Sequence, residues 1–270
     1  MFTVLKITDE KPKNLLTCCL KKLFNRKYGG VKIVREQLDC VNYRTIEAIK
    51  GKHGVNWAKI YQSAGTDASC LLMPDFVNPP KNSGIKRYDS SSYKRTVMCN
   101  TLVSMLKRSG RDKRKLKICL YDPMAKYTGL SLALLSLAGT VQVITHKECS
   151  YAEKTRTAVS DFGAEPVITS AAPGFARFDI LYAPFGLPEN PRDEKGPPTV
   201  CVDDIFNKYI LTADCVTLPS SFKKGTPAGI AQCDFAAALY ERANITFLGG
   251  NVATGLMQNG QMKRIKQIFS

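Results

Sequence analysis

A chain of 270 residues with 44% hydrophobic content is long enough to bury one large core or two ordinary ones, which makes it a globular protein. No apolar run approaches the roughly 20 residues that cross a bilayer. The start, Met1 to Asp9, lacks the basic, apolar and small-residue order of a signal peptide, so the expected location is the cytoplasm.

The net charge is +16, and it is concentrated at one end. Residues 1–115 carry 24 Lys/Arg against 9 Asp/Glu, a net +15, while residues 116–270 carry 15 against 14, a net +1. That asymmetry suggests two domains, a basic α/β domain over 1–110 and a second over 111–270. A basic field of this kind attracts a small anionic ligand, nucleic acid or an acidic protein partner. The competing explanation is a solvated surface of Lys-rich helices. A homo-oligomer is compatible with the sequence but not specified by it. Ten cysteines are scattered through apolar segments, with no C-x-x-C pair, and read as reduced, mostly buried small hydrophobes. With only His53 and His146 as imidazoles, no metal site is expected.

In chain order, the first elements are a strand from Phe2 to Ile7, a helix from Asn14 to Phe24, a turn at Gly29-Gly30 and a strand around Val31 to Val34. A helix is expected from about Asn42 through Ile46 and Ile49 to the break at Gly51. Trp57 to Tyr61 alternates like a half-buried strand. Cys70 to Pro74 reads as a short buried run, and Pro74 to Ser92 as a long loop, because Pro79-Pro80 forbids regular structure. Ser90, Ser91 and Ser92 offer N-caps for a helix from Tyr93 to Lys107, with Val97, Leu102 and Met105 on one apolar face. Ser109-Gly110 stops it, and Arg111 to Lys115 is a basic linker.

From Lys117 the order becomes regular. A strand, Lys117 to Tyr121, leads through a turn at Asp122 to Gly129 into a helix from Leu130 to Ala138. A second strand, Thr140 to Thr145, a helix from Tyr151 to Phe162 and a third strand at Pro166 to Thr169 follow. Further strands are expected at Phe178 to Pro184, Thr199 to Asp204 and Asp214 to Pro219, with a polar insert at Pro188 to Pro198. A helix runs from about Thr226 or Ala228 to Arg242. Strand and helix alternating in this way imply a parallel sheet with right-handed crossovers. Such a sheet binds ligands outside the carboxyl ends of its strands, so the loop after Tyr121 is the first candidate site.

Residues 117 to about 242 resemble the nucleotide-binding domain of NAD(P)-dependent dehydrogenases, nearest in pattern to shikimate dehydrogenases. The likeness is carried by Leu130 to Ala138 followed by Gly139 to Lys147, by Tyr151 to Ala164, by Phe178 to Pro184, and by Gln232 and Phe235 in a late helix. It implies a Rossmann-like doubly wound parallel sheet preceded by a smaller basic α/β domain. It also implies a nucleotide or other small anionic ligand in an interdomain cleft, with Ala183 and Pro184 ending the strand that touches the nicotinamide. The loop Phe76 to Lys81 faintly resembles the loop that carries a catalytic lysine in that family, with Asp75 or Asp89 as the acidic partner of Lys81.

The glycine fingerprint is altered. A dinucleotide site needs G-x-G-x-x-G after its first strand, so that backbone N–H groups can approach the pyrophosphate. Here the loop is Asp122-Pro123-Met124-Ala125-Lys126-Tyr127-Thr128-Gly129, in which only Gly129 remains. Asp122 would repel a pyrophosphate unless Lys126 or a metal compensated. Its other reading is an Asx-turn or a helix cap. What remains is an anion site at the amino end of the following helix, Thr128, Gly129 and Ser131, assisted by Lys126. After the second strand stand Thr145, His146 and Lys147, whose basic character favours a 2′-phosphate and hence NADP over NAD; an exposed turn is the alternative. No G-x-S-x-G elbow, P-loop or zinc signature occurs. Two functions remain open: a divergent NADP-dependent oxidoreductase or ligand-binding relative of one, and a non-enzymatic adaptor that uses the basic N-terminal half.

Overall fold

The computed structural model describes residues 1–9, 29–170, 177–186, 199–201, 210–216, 222, 224–243, 253–258 and 261–263. The expected helix at Asn14 to Phe24 and the insert at Pro188 to Pro198 lie outside them. The chain divides into two compact units, Met1–Ser90 with Leu218–Leu248, and Ser91–Thr217 with Gly249–Ser270.

The first unit is built on a three-stranded sheet: β1 (Thr3–Asp9), β2 (Val31–Leu38) and β3 (Val41–Lys50), in the order β1-β3-β2. β3 pairs parallel to β1, with Leu5 opposite Ile46, and antiparallel to β2, with Ile33 opposite Ile46. The helix expected from Asn42 is therefore a strand. Its Ile46 and Ile49 have helical spacing, but β1 and β2 supply hydrogen bonds along both edges, and Val41, Tyr43 and Thr45 alternate inward. Asp39, at φ 50°, turns β2 into β3.

The strand expected at Trp57 to Tyr61 is also corrected, to a helix, α1 (Trp57–Ala64). The Asn56 side chain accepts the Lys59 N–H at 3.0 Å, an N-cap that fixes the first turn. Ile60 and Ala64, four residues apart, are the pair that buries. Leu5, Ile46, Ile60, Leu71, Met73 and Val77 share the core of this unit.

In the second unit, α2 (Ser91–Arg108) buries Val97, Leu102 and Met105 as expected, and Gly110, at φ 66°, follows it. Then come β4 (Lys117–Tyr121), α3 (Thr128–Leu135), β5 (Thr140–Ile144), α4 (Glu148–Lys154), α5 (Ala158–Phe162), β6 (Val167–Thr169), β7 (Ile180–Ala183), β8 (Thr199–Cys201) and β9 (Ile210–Val216). The helix expected from Tyr151 to Phe162 breaks in two. The Thr155 hydroxyl donates back to the Tyr151 carbonyl at 3.0 Å, a local bond that competes with the helical ladder. Gly139 is required by close approach: a Cβ there would lie 2.0 Å from the Arg114 carbonyl oxygen.

The strands assemble in the order β9-β8-β7-β4-β5-β6, every adjacent pair parallel. Numbered from β4, this is the 3-2-1-4-5-6 order of the doubly wound Rossmann-like fold. β10 (Ala253–Gln258) and β11 (Gln261–Lys263) extend the sheet antiparallel beyond β9. Ile118, Cys119 and Leu120 of β4 are each fully buried, as a central parallel strand covered on both faces must be.

The last described helix, α6 (Gln232–Ala243), belongs to the first unit. Phe235 packs edge-on against Phe2 and Tyr43, which stack on each other at 5.1 Å. Ser90 donates to Asp234 at 2.5 Å, and Tyr88 donates to Glu241. No described helix is long and apolar enough to cross a membrane.

Candidate functional site

The strand order reverses between β4 and β7, so the loops leaving their carboxyl ends diverge and open the crevice where this fold binds ligands. The loop after β4 begins at Asp122, whose N–H donates to the Ile144 carbonyl at 2.9 Å. Ala125 takes a left-handed conformation, φ 54°, and turns the chain back. The Asp122 carboxylate, fully buried, then accepts the Lys126 N–H at 3.0 Å and the Tyr127 N–H at 2.6 Å. Hydrogen bonds from N–H groups to a carboxylate are among the stronger kind. Asp122 thus holds two of the donors that a glycine loop would turn towards a pyrophosphate, and Pro123 offers none.

The Pro123 carbonyl instead accepts the His146 N–H at 3.2 Å and the Thr145 hydroxyl at 3.5 Å, tying this loop to the end of β5. Thr145 is buried, while His146 and Lys147 are exposed. Ser131, on the buried face of α3, donates to the Thr128 carbonyl at 2.7 Å and bonds the Tyr151 hydroxyl. Burial raises the pKa of that Tyr151 hydroxyl. Ala183 and Pro184 are buried at the end of β7. Lys126 and Gly129 remain accessible, and Thr128 is half-buried.

After Pro184 the chain presents Phe185, which the sequence reading missed. The Lys126 ammonium lies 5.5 Å from its ring centre and the Arg95 guanidinium 5.2 Å, while the Tyr127 ring is 5.6 Å away. Tyr182, fully buried, places its hydroxyl 3.2 Å from the Cys99 thiol and 3.4 Å from the Arg95 carbonyl, to which it donates. Burial chiefly, with the Cys99 thiol beside it, pushes the Tyr127 phenol up to about 12. Burial likewise pushes the Cys99 thiol up to about 11, so both stay protonated at neutral pH.

Beside this cluster, within the second unit, α2 and α3 enclose a groove of about 750 Å³. Thr96, Cys99, Asn100, Val103, Ser104, Lys107 and Arg108 of α2 form one wall, and Lys126, Tyr127, Gly129, Leu130 and Ala133 the other. The α2 residues recur at intervals of three and four, a single helical face. Among the described residues the lining holds three cations, Lys107, Arg108 and Lys126, and neither a carboxylate nor an imidazole, a charge that favours an anion.

Of the residues chosen from sequence, Lys126 and Gly129 line this groove. Asp122, Ser131, Thr145, Ala183 and Pro184 lie buried around it or at the strand ends, and His146 and Lys147 are not in its lining. Lys107 and Arg108, at the end of α2, were not among those chosen. The stripe from Thr96 to Lys107 at helical spacing was the available signal for the wall.

No family model matches this chain, and no curated protein is similar to it. Among solved structures, the L-tryptophan dehydrogenase from Nostoc punctiforme aligns at 12% identity over 99% of this chain and 79% of that one, with a TM-score of 0.34. A superposition so loose does not define a shared site.

Proposed function

We propose that this chain binds a small phosphorylated or otherwise anionic ligand in its Rossmann-like unit, in the groove between α2 and α3. The observation that carries this reading is the lining, in which Lys107, Arg108 and Lys126 face a cavity of about 750 Å³ with no carboxylate among its described residues. A volume of that order suits a nucleotide-sized molecule. The amino end of α3, which no side chain caps, adds a positive partial charge beside Lys126. Calorimetric titration with inorganic phosphate, AMP, ATP, NADPH and NADH tests it, with uncharged adenosine as the control. Binding by phosphorylated ligands, weakened about tenfold in Lys126→Glu, is expected at a loss of roughly 1.4 kcal/mol. Failure of every anion to bind overturns the reading.

A second reading, a divergent NADP-dependent oxidoreductase, is favoured by the strand order and by the exposed His146 and Lys147 at the end of β5. Against it stands the Asp122 carboxylate, which already takes the Lys126 and Tyr127 N–H groups. On this reading Lys147→Glu weakens NADPH binding far more than NADH binding; equal loss of both removes the 2′-phosphate assignment.

A further inference from the structure

The groove is not uniformly basic; its cations stand at its two ends. At one end are Lys126 and the amino end of α3, where Leu130 and Ser131 donate their N–H groups to the Tyr127 carbonyl and no side chain caps the helix. The Arg95 side chain bonds Tyr127, so the amino-terminal part of α2 lies beside the start of α3. Lys107 and Arg108, in the last turn of α2, must then stand at the opposite end. From Asn100 to Lys107 the helix advances roughly 10 Å at 1.5 Å per residue. Between the two ends the described lining is Cys99, Asn100, Val103, Ser104, Leu130 and Ala133, with Val103, Leu130 and Ala133 its apolar part.

We propose that the groove is bipolar and selects an elongated dianion, with one anionic group at Lys126 and the amino end of α3 and the other at Lys107 and Arg108. The connecting part of the ligand is less polar and lies over Val103, Leu130 and Ala133. This deepens the anion-binding reading above and rests on it. A compact anion reaches one cationic end at a time. A molecule long enough to reach both gains the second interaction without a second loss of translational freedom, the advantage of linked binding groups. Where it lies over Val103, Leu130 and Ala133 the connector gains by being a hydrocarbon or otherwise weakly hydrated.

The test is a length series on the full chain. Methylene, butane and octane bisphosphonate, with octylphosphonate as the single-headed control and inorganic phosphate as the compact anion, are titrated by calorimetry at fixed ionic strength. Affinity is expected to rise with length, octane bisphosphonate exceeding both methylene bisphosphonate and octylphosphonate by about tenfold. Lys126→Glu and Lys107→Glu, at opposite ends, are each expected to bring octane bisphosphonate down to the level of octylphosphonate. Circular dichroism confirms that both variants are folded, which these exposed positions permit. Equal affinity along the series, with inorganic phosphate still bound and still sensitive to Lys126→Glu, overturns the bipolar arrangement and leaves the anion site standing. Absence of binding by every anion overturns both.

Discussion

The cations of the two units have different fates. In the first unit, Arg44 donates to Asp67 at 2.9 Å and to the Ala64 carbonyl at 3.2 Å, and Arg242 lies 3.8 Å from the same carboxylate. Arg87 holds the loop after Met73 by donating to the carbonyls of Met73, Pro74, Asp75 and Val77. In the second unit, Lys107, Arg108 and Lys126 are exposed along a groove whose described lining has no acid. The charge excess of residues 1–115 is divided between the units, since Lys107 and Arg108 fall in the second. Net charge along the chain therefore does not say which cations hold the fold, as Arg44 and Arg87 do, and which face a cavity.

The strongest way to break this comparison is to remove Asp67. Asp67→Ala takes away the acceptor of Thr3, Arg44 and Arg242 together. It is expected to cost about 2–3 kcal/mol of unfolding free energy, measured by urea denaturation, below the range for a fully buried pair because the Arg44 side chain is 30% exposed. A loss under half of that means that the first unit's arginines are not structural. The pH dependence sharpens the point. Burial disfavours the Asp67 carboxylate, but the bonds from Thr3 and Arg44 and the charges of Arg44 and Arg242 outweigh it and lower its pKa. A depressed carboxyl contributes stability above the unfolded value, near 3.9, and loses it as pH falls through the folded value. The gap between the wild type and Asp67→Asn should therefore be widest at neutral pH and close below about pH 4. A gap that persists in full at pH 2 contradicts the assignment.

In the second unit, Asp122→Ala leaves the Lys126 and Tyr127 N–H groups without their acceptor, at an expected cost of about 2 kcal/mol. Phosphate in the buffer should restore part of that stability, measured as a thermal shift greater than in the wild type. No extra shift would show that the vacated donors do not receive anions. The smallest expected effect on stability is that of Lys107→Glu, within about 0.5 kcal/mol, as for an exposed side chain. Its anion affinity should nonetheless fall severalfold. A large stability change there would make Lys107 a structural cation like Arg44.

Much of the second unit was legible in its sequence. Lys117 to Tyr121 is a strand over just the expected residues, because a central parallel strand is a continuous apolar run bounded by turn residues. The first unit was less legible. Ile46 and Ile49 fit a helix, and Trp57, Lys59 and Tyr61 fit an alternating strand, because short segments satisfy either period. The decision lay with β1 and β2 flanking β3, and with the Asn56 cap and the Ile60–Ala64 pair of α1. The Asx-turn alternative for Asp122 and the stripe from Thr96 to Lys107 were available from the sequence, but what faces that stripe was not. Phe185 is far from Arg95 in the chain, and no local pattern relates them.

The sequence by itself determined the succession of β4, α3 and β5, and the loss of the glycine loop, since these depend on local periodicity and on residue identity. Tertiary structure alone decided that β4 lies between β5 and β7, that α6 joins the first unit, and that α2 lies against α3 to enclose a cavity. Those facts depend on which apolar faces meet across long sequence separations. They are set by the burial of those faces and by the hydrogen bonds that neighbouring strands and helices must satisfy together.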